Sequence, residues 1–80
     1  MQFNTLIEQS KRYMHIVEPH LPKPLRTKIM PGPVEKGGWC LLVQNGAVAS
    51  KLRQLQPDLE ARLQASLGEV VKIRVKVLAN

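Results

Sequence analysis

The stretch Val71-Lys-Ile-Arg-Val-Lys-Val77 alternates apolar and basic residues along its length. Successive residues of a strand point to opposite faces, so Val71, Ile73, Val75 and Val77 are expected to face a core. Lys72, Arg74 and Lys76 then face away from it. A strand buried on one side only needs sheet partners beside it and a layer to cover it. The residues before it supply both.

Working backwards, Ala47–Leu67 has helical periodicity. Val48, Leu52, Leu55, Leu59, Leu63 and Leu67 form one stripe, and Gly68 follows as a C-terminal cap. Pro57 falls inside this pattern. A kink or restart is expected near Gln56, with Asp58 and Glu60 close to a new helix N-terminus. Before the helix, Asn45-Gly46 reads as a turn, and Trp39–Gln44 reads as a strand. Trp39, Leu41 and Val43 alternate with Cys40 and Leu42, so both faces are largely apolar and a central place in the sheet is expected. Cys40 reads as a small buried hydrophobe there.

Glu35-Lys36-Gly37-Gly38 reads as a hairpin loop. Ile29–Val34 is then a poor strand, because Pro31 and Pro33 cannot donate to a ladder. It must lie at an edge or carry a bulge. Residues 18–33 hold five of the six prolines and form a connector. Its apolar Leu21, Leu25, Ile29 and Met30 suggest packing, with a short helical turn over Pro24–Lys28. Residues 3–17 form an amphipathic helix, capped at Asn4 or Thr5 and ended by Pro19.

The expectation is one α+β domain over residues 1–80, with the order α, short α, β, β, α, β. A three-stranded sheet over 29–77 carries helices on one face, and the long helix is kinked near Pro57.

Composition narrows the function. The chain has 80 residues, 44% of them hydrophobic, and room for one thin core. Surface scaling predicts roughly 4,900 Å² exposed. Twelve Lys and Arg against six Asp and Glu give a net charge of +6, which points to an anionic partner. A single cysteine excludes an internal disulfide. No secretion signal or membrane span is expected, so the protein is read as cytoplasmic.

Little suggests catalysis. His15, His20 and Cys40 lack metal-site spacing, the carboxylates are scattered, and no phosphate-binding glycine loop is present. No enzyme activity, cofactor, metal or small-molecule substrate is expected. The basic row is the main candidate site. Lys72, Arg74 and Lys76 stand roughly 6.6 Å apart along a strand, close to the phosphate spacing of an extended single strand. The same row could simply solvate a sheet face or block aggregation. Lys51 and Arg53 are further candidates, and Lys11, Arg12, Lys23, Arg26, Lys28 and Arg62 could extend the patch. Trp39 could stack on a base, but with no aromatic neighbour in sequence a packing role is favoured.

Four ordered stretches carry a family resemblance. They are Leu21-Pro-Lys-Pro-Leu-Arg26, Gly38-Trp-Cys-Leu-Leu-Val43, Ala47-Val-Ala-Ser-Lys-Leu-Arg-Gln-Leu55 with Pro57-Asp-Leu-Glu-Ala-Arg-Leu63, and Val71-Lys-Ile-Arg-Val-Lys-Val77. Together they resemble the DciA family of bacterial proteins, long filed as a domain of unknown function. The resemblance implies a KH-like fold, binding to single-stranded or junction DNA, and a part in loading the replicative DNA helicase. Val48 stands where family members commonly carry tryptophan. Many members also carry a flexible charged segment, with a part in helicase contact, outside the domain; this sequence ends three residues after Val77.

The expected function is a non-enzymatic DNA-binding adaptor that holds the backbone without reading sequence. The alternatives are a protein-interaction module that does not bind nucleic acid, and a small RNA-binding accessory protein.

Overall fold

Local sequence sets the elements, and the apolar stripes dictate how they stack. The computed structural model describes the backbone of residues 2–35 and 38–78, and the side chains of residues 8–35 and 38–78. Its elements are α1 (Gln2–Val17), α2 (Lys23–Arg26), β1 (Ile29–Glu35), β2 (Gly38–Val43), α3 (Gly46–Leu67) and β3 (Lys72–Val77). The α-α-β-β-α-β order is the expected one.

The strand order is β1-β2-β3, with β1 antiparallel and β3 parallel to the central β2. Trp39 pairs with Ile73, Leu41 with Val75 and Val43 with Val77. These residues face the helices. Trp39, Leu41 and Val43 are fully buried, together with Val17, Ala49, Leu52 and Leu63. Burial fades along β3, from Ile73 at 3% exposed to Val77 at 40%. The other sheet face has no layer over it among the described residues. The folded surface is 5521 Å², against the roughly 4,900 Å² that scaling gives for a chain of this mass.

β1 is an edge strand and is irregular, as its prolines require. The register shifts between Pro31 and Val34. β1 extends to Glu35, which pairs with Gly38, so only Lys36 and Gly37 of the expected hairpin loop remain between the strands. Those two residues lie outside the described ones.

Several local details differ from expectation. α1 begins at Gln2, which places Asn4 and Thr5 inside its first turns and not at its cap. The short helix starts at Lys23, so Pro24 takes its second position. The connector is packed: Leu21 and Leu25 are buried, and the Arg26 guanidinium donates to Leu21 O at 3.0 Å and Pro19 O at 3.4 Å.

α3 runs unbroken through Pro57, so no second N-terminus forms near Gln56. The proline removes the bond to the Arg53 carbonyl, but both residues are exposed and water can take its place. Leu52 on one side and Leu59 and Leu63 on the other hold the helix to the core across this break.

Asn45 does more than turn the chain. Its Oδ1 accepts from Val48 N–H at 2.9 Å and caps α3. Asn45→Ala should cost about 1 kcal/mol, measured by urea unfolding. At the other end, Gly68 has φ 77°, the left-handed conformation that closes a helix, and its N–H donates to Gln64 O at 2.8 Å.

Candidate nucleic-acid interface

The uncovered sheet face is built by the residues that alternate with the core set. On β3 these are Lys72, Arg74 and Lys76, all exposed. Across from them on β2 stand Gly38, Cys40 and Leu42, with Met30 opposite Leu42 on β1. Cys40 and Leu42 are half-buried and Met30 is 55% exposed. Cys40 is therefore not the buried core residue that a central strand suggested. It lies on the open face, where no second layer covers β2 among the described residues.

The face thus carries a line of three cations beside an apolar floor. Pro33, Glu35, Cys40, Leu42, Arg74 and Lys76 line a shallow open depression of ≈ 320 Å³. None of the three cations has an ion-pair partner among the described residues, although Glu35 borders the same depression. A row of like charges with no internal counter-charge favours an external anion.

The structure separates the other candidates from this row. Lys51 and Arg53 are exposed on α3, which covers the opposite face of the sheet, so neither continues the line. Arg26 is engaged by backbone carbonyls of the connector. Arg62 pairs with Asp58 at 3.6 Å, one helical turn earlier. Lys11, Arg12, Lys23 and Lys28 are exposed, but on elements outside β2 and β3.

Trp39 is a core residue, fully buried, and cannot stack on a base. Its indole N–H donates to Ser10 Oγ at 3.1 Å, and Ser10 donates in turn to Gly32 O at 2.8 Å. Tyr13 meets the indole edge-on, with ring centroids 5.5 Å apart. Burial, reinforced by the Glu69 carboxylate, pushes the Tyr13 phenol above its ordinary value, so it stays neutral. With Trp39 and Tyr13 both in the core, no described aromatic lies on the basic face.

His15 and His20 are exposed, on α1 and in the 3₁₀ turn Glu18–His20. Among the described residues, no group of three or more His, Cys, Asp or Glu side chains could hold a metal ion. No described helix is long and apolar enough to cross a membrane.

One feature escaped sequence reading. Gln56 and Glu60, one turn apart on α3, reach the outer side of β3. Gln56 Nε2 donates to Ile73 O at 2.7 Å, and Ile73 N–H donates to Glu60 Oε2 at 2.8 Å. Gln56 also donates to Glu60 at 3.3 Å. The only sequence signal was a polar i, i+4 pair flanking Pro57, which is equally usual on a solvated helix face. Comparison with models of known protein families and with curated proteins found no match.

Proposed function

We propose that this chain is a non-enzymatic adaptor that binds single-stranded or junction DNA and helps to recruit or load a replicative DNA helicase in the cytoplasm. One observation carries the DNA half: Lys72, Arg74 and Lys76 line one exposed sheet face, and none of them has an ion-pair partner among the described residues. Their spacing of roughly 6.6 Å suits successive phosphates of an extended strand. The apolar floor of Cys40, Leu42 and Met30 offers contact to sugars and base faces. With no described aromatic and few hydrogen-bonding groups on that floor, binding rests on charge and reads no sequence. The helicase half is supported by the likeness of four ordered stretches to the DciA family.

The test is the salt dependence of single-stranded DNA binding, read by fluorescence anisotropy. Replacing Lys72, Arg74 and Lys76 together by Gln should reduce the slope of log K against log salt by about 2, since each single-strand phosphate contact contributes about 0.7. The circular dichroism spectrum should stay unchanged, because all three side chains are exposed. An unchanged slope in the folded variant overturns the assignment. Equal or tighter binding to RNA of the same sequence would move the reading to an RNA-binding accessory protein. Helicase recruitment is measured separately, by co-sedimentation with purified helicase in the absence of DNA.

A further inference from the structure

The two edges of the sheet differ. At β1, Pro31 and Pro33 lack N–H groups and the register is broken, so an added strand finds an incomplete ladder there. At β3 the backbone direction can be read from three bonds. Leu78 N–H donates to Val43 O at 2.8 Å, toward β2. Along a strand the direction alternates, so Lys72, Arg74 and Lys76 also turn their main-chain groups inward. Ile73, Val75 and Val77 turn theirs outward. The Gln56 and Glu60 bonds to Ile73 confirm this parity independently, because they come from α3 and not from β2.

α3 therefore seals the β3 edge at Ile73 only. Among the described hydrogen bonds none satisfies the outward N–H and C=O of Val75 and Val77. Val77 and Leu78 are also 40% and 39% exposed, unusually open for aliphatic side chains next to a bare edge.

We infer that the Val75–Val77 edge accepts an extended segment of a partner protein as a fourth strand, and that this segment carries acidic residues at alternate positions. In antiparallel pairing Val75 and Val77 exchange their main-chain bonds with the added strand. Arg74 and Lys76 then occupy the narrow, non-hydrogen-bonded pairs, where side chains on the open face lie closest together. Acidic residues there face the basic row. Arg53 adds positive charge on the helix side, since it stands three residues before Gln56 and shares its flank of α3. A second copy of this chain is the poorer occupant in the register centred on Val75. Antiparallel pairing about Val75 would set Arg74 against Lys76 twice, and like charges directly opposite are repulsive. This inference does not rest on DNA binding. Its main-chain bonds use the edge of the strand, which the DNA reading leaves free, while its preference for acidic residues draws on the same Arg74 and Lys76.

The experiment titrates isotopically labelled protein with a short peptide alternating threonine and glutamate. The amides of Val75 and Val77 should shift and gain at least about tenfold protection from hydrogen exchange, while those of Arg74 and Lys76, already bonded to β2, change little. A threonine–lysine peptide should not bind. The acidic peptide N-methylated on the residues that face β3 should also fail, a control that leaves the protein untouched. The triple Gln variant at Lys72, Arg74 and Lys76 should bind the acidic peptide about tenfold more weakly. Binding that survives N-methylation of the residues that face β3 overturns the inference, as does no protection at Val75 and Val77 up to millimolar peptide. Self-association that protects these amides in the free protein would make the second copy the occupant and overturn the choice of partner. Loss of DNA binding with retained peptide binding would sink only the DNA reading, and the reverse result only this one.

Discussion

Trp39→Ala should lower the stability of the domain by about 3–5 kcal/mol. The indole is fully buried at the centre of the sheet, edge-on to Tyr13, with its N–H bonded to Ser10. Truncation leaves a large cavity between β2 and α1 and strips Ser10 of its donor. A domain of this size has about 4–12 kcal/mol in total, so the variant is expected near its unfolding threshold at room temperature. Urea unfolding followed by far-ultraviolet circular dichroism reads the loss. A change below about 1 kcal/mol would mean that the indole is not the keystone of this core. Ser10→Ala separates the polar part from the packing part. It leaves the indole N–H and Gly32 O without their shared partner, at about 1–3 kcal/mol per stranded buried group.

Gly32→Ala should destabilise by about 1–3 kcal/mol, a large effect for one methyl group on an edge strand. Gly32 is buried at the register shift of β1, and its φ is not positive, so backbone strain is not the reason a glycine sits there. The reason is space. A Cβ would stand 2.8 Å from the main-chain oxygen of Cys40 and 3.3 Å from Leu42 Cγ. A carbonyl oxygen in the central strand cannot swing aside as a side chain can. β1 would have to move off β2, loosening the Ser10 bond to Gly32 O. A shift of the urea midpoint with unchanged m value is the expected result. Ala tolerated without loss would show that the bulge relaxes freely.

The order of elements was legible because periodicity is a local property. The alternation at 71–77, the leucine stripe of α3 and the prolines of β1 each state their own conformation. Together they allow few arrangements beyond a three-stranded sheet under helices. Of the two outcomes expected at Pro57, a kink or a restart, the restart does not occur. Local propensity favours a restart there, yet buried leucines on both sides of it keep one continuous helix. Tertiary packing overrode a local penalty that water could soften at an exposed position.

The candidate site was legible in part. Alternation alone placed Lys72, Arg74 and Lys76 on one face. It could not show that Lys51 and Arg53 lie in the layer behind the sheet, or that Arg26 is spent on the connector. Nor could it show that Cys40 borders solvent. Those outcomes depend on which face the helices cover. One strand sequence cannot specify that when both its faces are apolar.

What the sequence determined by itself was therefore conformation along the chain: helix, strand, cap and the side each residue takes. The tertiary structure alone decided which groups meet. Ser10 reaches Trp39 across 29 residues, and Gln56 and Glu60 reach Ile73 across 17 and 13. Such contacts leave no periodic trace. They arise only once burial of the shared apolar core has brought distant segments together, and they decide which polar groups are satisfied within the fold and which are left facing out.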